Sequence, residues 1–317
     1  MMARVYDLIN KIKVGEIKNI IVLAGAGLST ASGIPDFRSP GGLYDTLPVD
    51  ALTASEVQKK RLRVEPTLIV DIELFSKNQF PYLEVRRPFI LGTKEKRWKM
   101  TIGHIFLELL HKHDVLKRLY IQNIDGIEHH SLIDPVKIIN VHGTLNKVSC
   151  EYCDTEYDTD EFCSLVETNI KNIYGDLGIP GPTSSTNILC KKCRKPAVKP
   201  KTVLFGRNLP SEYFNAIKED FTDSNDCDLI IAIGTSLSVF PAANICQMGR
   251  KDVPRLVINS QVVGAELGLD FEQRDAIFTG LCDEVCLEII KKLNWQDELR
   301  ARSSVMCASS QKMVEMM

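Results

Sequence analysis

No run of about 18 apolar residues occurs in this 317-residue chain, so no segment reads as a membrane-crossing helix. The opening residues, MMARVYDLINKIK, lack the apolar stretch of a secretory leader. The expectation is a non-secreted chain in the cytoplasm, the nucleus or both, without membrane partners. An excess of one charge is also missing. Lys and Arg number 39 and Asp and Glu 41, a formal charge of −2. Without a global basic field, direct nucleic-acid binding is not the expected role. No internal repeat is visible. A disulfide framework is not expected either: of ten cysteines, four fall into two Cys-x-x-Cys pairs and six are scattered singly. With no leader, that pattern reads as metal binding plus free thiols.

What is present is an ordinary globular composition, 44% hydrophobic and 25% charged, long enough for a full core. The most informative stretch is Ile20 to Arg38, IIVLAGAGLSTASGIPDFR. A β-branched run empties into Gly25-Ala26-Gly27, then Ser29, Thr30, Ser32 and Gly33. Such a loop lets backbone N–H groups approach a phosphate. It is not the usual dinucleotide fingerprint, because the glycines run G-x-G-x5-G and no acidic strand end follows at the expected distance. Asp36 and Arg38 lie in the loop itself.

Further apolar runs follow at Leu119–Ile121, Val136–Val141, Leu229–Ile233, Leu256–Ile258 and Ala276–Phe278. Most are continuously apolar, as parallel strands covered on both faces are. Each ends in polar or glycine residues, offering several strand ends to one crevice. Helical spacing separates them, as at Ile102–Leu116 and Val285–Leu293. The expected fold is α/β: a doubly wound, parallel, Rossmann-like sheet with a smaller inserted lobe made of a helical module and a zinc ribbon. Residues 1–44, 101–146 and 201–294 would form the nucleotide-binding body. Residues 45–100 would be the helical module and 147–200 the zinc-binding module. The polar tail, 295–317, reads as disordered.

Cys150-x-x-Cys153 and Cys190-x-x-Cys193 are separated by 36 residues, 154 through 189. Two such knuckles can close a tetrahedral all-sulfur site of the kind Zn²⁺ accepts. Four thiolates leave no open coordination position, so the expected role is structural. Redox dithiols are the alternative. The first knuckle is followed by Asp154, Glu156, Asp158, Asp160 and Glu161; the second carries Lys191, Lys192, Arg194 and Lys195, with Lys199 and Lys201 beyond. The preferred reading is that these faces pair with each other across the lobe. Steering of a charged partner is the alternative.

His142 follows a strand run and precedes a glycine, where an imidazole can take a proton near neutral pH. Asn123 and Asp125, two apart, point the same way if extended; a turn would use the same residue types. The other five histidines read as packing or solvent-facing residues.

Together these motifs resemble the sirtuins, the family of NAD-dependent protein lysine deacylases, nearest its nuclear and cytosolic eukaryotic group. The resemblance covers about residues 5–295. It rests on Gly25-Ala26-Gly27-x-Ser29 through Gly33-Ile34-Pro35-Asp36-Phe37-Arg38, Gln122-Asn123-Ile124-Asp125, His142-Gly143, the cysteine pairs, Lys199-Pro200 with Phe205-Gly206, Gly234-Thr235-Ser236-Leu237, and Cys282-Asp283. The resemblance implies NAD as co-substrate, a structural zinc, and acyl-lysine proteins or peptides as substrates. It implies that the acyl oxygen attacks the anomeric carbon as nicotinamide leaves. His142 then serves as general base on the ribose hydroxyls, and free lysine and O-acyl-ADP-ribose are released. Asn123 and Asp125 would hold the nicotinamide ribose and carboxamide. Asp36, Phe37 and Arg38 would cover the nicotinamide end. Gly25, Ala26, Gly27, Ser29, Gln122, Gly234, Thr235, Ser236, Ser260 and Gln261 would belong to the NAD site. Asn259 would meet the adenosine ribose. Cys282 would contact adenine through its backbone, the alternative being a plain buried cysteine.

The apolar run Val203-Leu204-Phe205-Gly206 reads as a strand able to pair with an extended substrate peptide. Sirtuins that take succinyl or malonyl groups carry a Tyr-x-x-Arg pair; none occurs between Tyr44 and Met100, so the resemblance implies neutral acyl groups, acetyl first and longer chains after it. Lys201 and Arg207 stand where relatives usually carry acids, so a preference for basic tails does not follow. Ile121 replaces the usual Thr before Gln122, and Gln261 the usual Glu. Rival readings are a protein mono-ADP-ribosyltransferase using the same NAD pocket and a zinc-ribbon chromatin or scaffold protein. A zinc-dependent dehydrogenase fits least, since no open metal site is visible.

Overall fold

The computed structural model describes residues 2–35, 41–175, 179–221 and 227–317. The run Ile20–Ala24 forms strand β1, every side chain buried. Eight strands follow: β2 (Leu116–Ile121), β3 (Ile138–Asn140), β4 (Gly143–Cys150), β5 (Glu156–Tyr157), β6 (Val198–Thr202), β7 (Leu229–Ile233), β8 (Arg255–Asn259) and β9 (Ala276–Thr279). The helices are α1 (Met2–Lys13), α2 (Glu56–Val64), α3 (Ile72–Lys77), α4 (Phe80–Lys94), α5 (Ile102–Lys112), α6 (Thr159–Asn169), α7 (Ser211–Asp220), α8 (Cys282–Leu293), α9 (Gln296–Ala301) and α10 (Ala308–Glu315).

Six strands make one sheet in the order β3-β2-β1-β7-β8-β9, all neighbours parallel. The strand alternation sorts β1 between two cores. Ile20, Val22 and Ala24 join the apolar cluster that includes residues of α1, α5 and α8, while Ile21 and Leu23 join the cluster that includes Tyr213 and Ala216 of α7. The sheet is thus doubly wound. The chain moves outward on one side of β1 and then outward on the other side from β7. The carboxyl ends of β1 and β7 are the switch point where such sheets bind ligands.

Two strand expectations shift. β2 begins three residues before Leu119, because buried Arg118 is tied to Asp220 by Nε–Oδ2 at 2.9 Å and Nη2–Oδ1 at 3.0 Å. Of Val136–Val141, Ile138–Asn140 is strand; Pro135–Lys137 forms a 3-10 turn capped by the Asp134 carboxylate, which accepts from Val136 N–H at 3.0 Å.

A smaller antiparallel sheet, β5-β4-β6, carries the cysteine pairs. Buried Arg87 of α4 ties the helical segment to the stretch after α6, donating to the carbonyls of Ile170 (2.9 Å), Ile179 (2.5 Å) and Pro180 (2.9 Å).

The disorder expected for residues 295–317 is corrected. Trp295, Leu299, Met306 and Val314 are all buried, Leu299 and Met306 completely. The average composition of the tail is polar, but its few apolar residues are spaced to reach the body. Met306 bridges Met100, and Trp295 stacks on His113 with ring centroids 4.1 Å apart. Leu299→Ala should cost about 2–5 kcal/mol of unfolding free energy in chemical denaturation; a cost near zero would mean that the tail is not part of the core.

Candidate active site

The crevice is made by two loops that touch. Gly25 N–H donates to Ile233 O at 2.9 Å, and Gly27 N–H to Gly234 O at 2.8 Å. A Cβ on Gly25 would meet Gly234 O at 2.7 Å, and one on Gly27 would meet Gly234 Cα at 2.8 Å. Only glycine permits this approach, and Gly234 itself has φ +60°. Gly25 therefore packs loop on loop and does not line the cavity. Ala26 and Gly27 do line it.

The cavity holds about 670 Å³. It brings together the ends of five strands: Ala26 and Gly27 after β1, Gln122 and Asn123 after β2, His142 after β3, Gly234, Thr235 and Ser236 after β7, and Asn259, Ser260 and Gln261 at β8. Cys282, after β9, closes that side. Val203, Leu204, Phe205 and Gly206 line it as well. Asp36, Phe37 and Arg38 lie outside the described residues.

His142 Nδ1 lies 2.9 Å from the Gln122 carbonyl. A carbonyl only accepts, so Nδ1 carries the proton and Nε2 is the basic nitrogen. The Gln122 side chain accepts from Thr235 Oγ1 at 2.7 Å, linking the loops after β2 and β7. Behind the imidazole, Gly143 adopts φ +75°, and a Cβ there would lie 1.9 Å from Lys201 O. This close crossing of β4 and β6 fixes the chain immediately after the histidine.

A small recess opens beside the cavity, lined by Ser29, Asn123 and Asp125 among others. Asn123 Nδ2 donates to Ser29 Oγ at 2.9 Å, and Ser29 Oγ donates to Asp125 Oδ2 at 2.8 Å. Asp125 Oδ1 accepts from Ile127 N–H at 3.0 Å, the turn geometry that the residue types allowed. Glu128, one turn further on, is almost fully buried and accepts from Asn140 Nδ2 at 2.5 Å. Burial raises both carboxyls. Ile127, Ser29 and Asn123 draw Asp125 back down. Asp125 nonetheless stays above its ordinary value, and Glu128 is pushed up to about 8 by burial and then by Asp125.

Sequence reading missed several wall residues. Thr30, Tyr44, Arg86, Phe214, Val239 and Phe240 line the cavity. Val239 and Phe240 directly follow the Gly234-Thr235-Ser236-Leu237 motif, which is a usable signal. Arg86 lines both cavity and recess, yet its neighbour Arg87 is structural, and nothing in the sequence separates the two.

Val203–Gly206 is not a regular strand. It follows β6 and makes one parallel bridge, Phe205 to Asp71; Phe205 N–H donates to Val70 O at 2.8 Å, and Phe205 O accepts from Ile72 N–H at 3.0 Å. One backbone edge at Phe205 is therefore occupied. Arg207 N–H donates to Leu204 O at 3.0 Å, turning the chain at Gly206, φ +85°.

The four knuckle sulfurs lie within 4.8 Å of one another. Cys150–Cys193 and Cys153–Cys190 separations are both 3.6 Å. A tetrahedron with Zn–S bonds of about 2.3 Å has edges of roughly 3.8 Å, so the donor set fits one zinc ion. Both knuckles turn alike: Asp154 N–H donates to Cys150 O at 3.0 Å and Arg194 N–H to Cys190 O at 2.9 Å. The charged faces pair only in part. Lys199 meets Glu151 at 3.1 Å, Lys201 meets Glu156 at 3.0 Å, and Arg207 meets Glu151 at 2.8 Å. Lys191 and Lys195 lie instead over the rings of Tyr157 and Tyr152.

Fold and site define a Rossmann-like nucleotide-binding protein with a histidine in its crevice and a four-cysteine knuckle lobe. The model of the Sir2 family matches residues 25–241, and the chain belongs to that family. It is 34% identical to the NAD-dependent protein deacetylase sirtuin-2 of Danio rerio, over 90% of this chain and 70% of that protein. It is 36% identical to the NAD-dependent deacetylase sir2A of Dictyostelium discoideum, over 89% of this chain and 50% of that one. For the NAD-dependent protein deacetylase sirtuin-3 of Mus musculus the figures are 30%, 92% and 77%. The chain thus spans between half and about three quarters of these relatives. Among the described residues, no helix is long and apolar enough to cross a membrane.

Two outcomes are expected. Glu128 has an ordinary pKa of 4.5 and a folded value of about 8, so the folded state holds an extra proton between them. Its contribution to stability is complete below the lower value and is lost as pH rises through the upper one. Glu128→Gln should therefore gain melting temperature relative to the parent between about pH 5 and about pH 8; an equal offset at both ends would remove Glu128 as the proton holder. Metal analysis should find one zinc per chain. Cys190→Ser should lose it and open residues 147–200 to protease, while intact metal content would exclude the four-thiolate site.

Proposed function

We propose that this chain is an NAD-dependent protein lysine deacylase. One observation carries the reading: the His142 imidazole, its tautomer set by the Gln122 carbonyl, stands in the crevice beside the Asn123–Ser29–Asp125 chain. The deacetylase names of the relatives support it and favour deacylation over protein ADP-ribosylation. Residues 1–44, 101–146 and 201–294 would hold the dinucleotide, with 45–100 and 147–200 as the smaller lobe.

NAD, when bound, supplies an activated glycosidic bond. The chain's own residues do the rest. Ala26 and Gly27, with Gly234, Thr235 and Ser236, offer amides and hydroxyls to phosphate. Gly25 sets the spacing between those loops. Asn259, Ser260, Gln261 and Cys282 form the adenosine end. Ser29, Asn123 and Asp125 receive the nicotinamide ribose and carboxamide, and Gln122 holds His142. Nε2 of His142 accepts a proton from a ribose hydroxyl. Asp36, Phe37 and Arg38 would cover the reacting carbon. The acyl-lysine enters between Val203–Gly206 and Val239–Phe240, an apolar passage suited to neutral acyl groups. The zinc, held by Cys150, Cys153, Cys190 and Cys193, keeps the smaller lobe folded.

Incubation with acetyl-peptide and labelled NAD tests this. Free lysine peptide and O-acetyl-ADP-ribose are expected, with acetyl turned over faster than succinyl. Labelled protein would indicate the transferase, and neither product would indicate a binding role. His142→Ala should lower the rate about 10²–10⁴-fold with zinc retained; wild-type turnover would sink the assignment.

A further inference from the structure

The tail that the composition hid reaches the cofactor loop. Met306 bridges Met100, and Cys307 N–H donates to Met100 O at 2.8 Å. Helix α10 then starts against the 3-10 turn Thr30–Ser32. The Ala31 carbonyl accepts from Ser309 Oγ at 2.7 Å and from Cys307 Sγ at 3.3 Å. Ser310, completely buried, donates to Asp283 Oδ2 at 2.5 Å. Asp283 Oδ1 accepts from Gly103 N–H at 3.0 Å, and Asp283 directly follows Cys282 on the cavity wall. One short helix thus holds, from behind, two walls of the crevice: the turn that contributes Thr30 and the start of α8.

We propose that α10 is a clamp that sets the cofactor loop, with Ser309 and Ser310 as positioning residues for nucleotide binding. The proposal rests on the NAD reading above. The loop after β1 has no regular strand or α-helix of its own over residues 25–35; it is short turns. Binding a dinucleotide to such a loop costs its remaining freedom, and tethers made beforehand lower that cost. Because the tethers lie behind the loop, they act on nucleotide affinity. The tail bonds Ala31, Met100 and Asp283 rather than Val203–Gly206, and His142 is held by Gln122 instead.

The test is the double variant Ser309→Ala/Ser310→Ala in the full chain, with a truncation after Val305 beside it. The measurements are NAD and peptide KM, kcat, and hydrogen exchange of residues 26–35. The clamp is expected to show as faster exchange in that segment and an NAD KM raised roughly three- to tenfold, the scale of one or two lost hydrogen bonds. Peptide KM and kcat should stay within about twofold, the split that distinguishes nucleotide positioning from general loss. Ser309→Thr, which keeps a hydroxyl, should restore part of the NAD affinity. Unchanged exchange with unchanged NAD KM in the double variant would overturn the clamp. So would an equal loss in all kinetic parameters together with a lower melting temperature, which marks a merely structural tail. Should the truncated chain fail to fold, the double variant alone decides. If the parent chain binds no NAD, the functional reading fails, and exchange in residues 26–35 still decides whether α10 holds the loop.

Discussion

Three glycines in contact make the site possible. At the switch point, β1 and β7 lie side by side and their loops depart together. Gly25 and Gly27 press against Gly234 at distances where a Cβ would overlap backbone atoms. A side chain at any of the three would push the loops apart. The hydrogen bonds from Gly25 to Ile233 and from Gly27 to Gly234 would then lengthen. Thr235 would leave Gln122, and Gln122 is the residue whose carbonyl fixes the His142 tautomer. The setting of the imidazole is therefore linked, through Thr235 and Gln122, to the packing of three glycines.

Much of this arrangement was readable in the chain. Continuously apolar runs marked the parallel strands because both faces are buried, and β7 matches its run residue for residue. Motif residues after five strand ends converge on one cavity because a parallel sheet delivers all its carboxyl ends to one edge. What was not readable has identifiable physical causes. Arg118 concealed the start of β2, since a charge inside a strand looks like an interruption until its buried partner Asp220, about a hundred residues away, is known. The tail looked disordered because its order comes from scattered contacts: five buried apolar residues and a handful of side-chain bonds to distant segments. Composition averages these away. Glu128 gave no signal because its shift comes from its own burial and from Asp125 and Asn140, which only the fold brings beside it.

The charge pattern of the lobe shows a similar limit. Opposite signs on two neighbouring knuckles suggested direct pairing. In the structure, pairing falls to Lys199, Lys201 and Arg207, which reach back from β6 and the turn after it to Glu151 and Glu156. The more exposed lysines of the second knuckle settle on tyrosine rings. The acid-to-base exchanges at 201 and 207 therefore do not leave bare cations at the groove. Each has a carboxylate partner.

The metal lobe matters to the cavity through connectivity. β4 runs from Gly143, next to His142, to Cys150; β6 runs from just beyond the second knuckle to Thr202, next to the groove. The two strands pair at both ends, with the register interrupted between Gly143 and Val148, and Gly143 packs tightly on Lys201. Val203 N–H then donates to His142 O at 2.8 Å, so the histidine's own backbone is part of that pairing. Zinc held by four thiolates at the far ends of β4 and β6 would bind the folded hairpin and not the unfolded chain, so its binding energy would favour the folded lobe. A metal bound at the knuckles would therefore bear on His142 and on Val203–Gly206 through the hairpin whose strands end beside them.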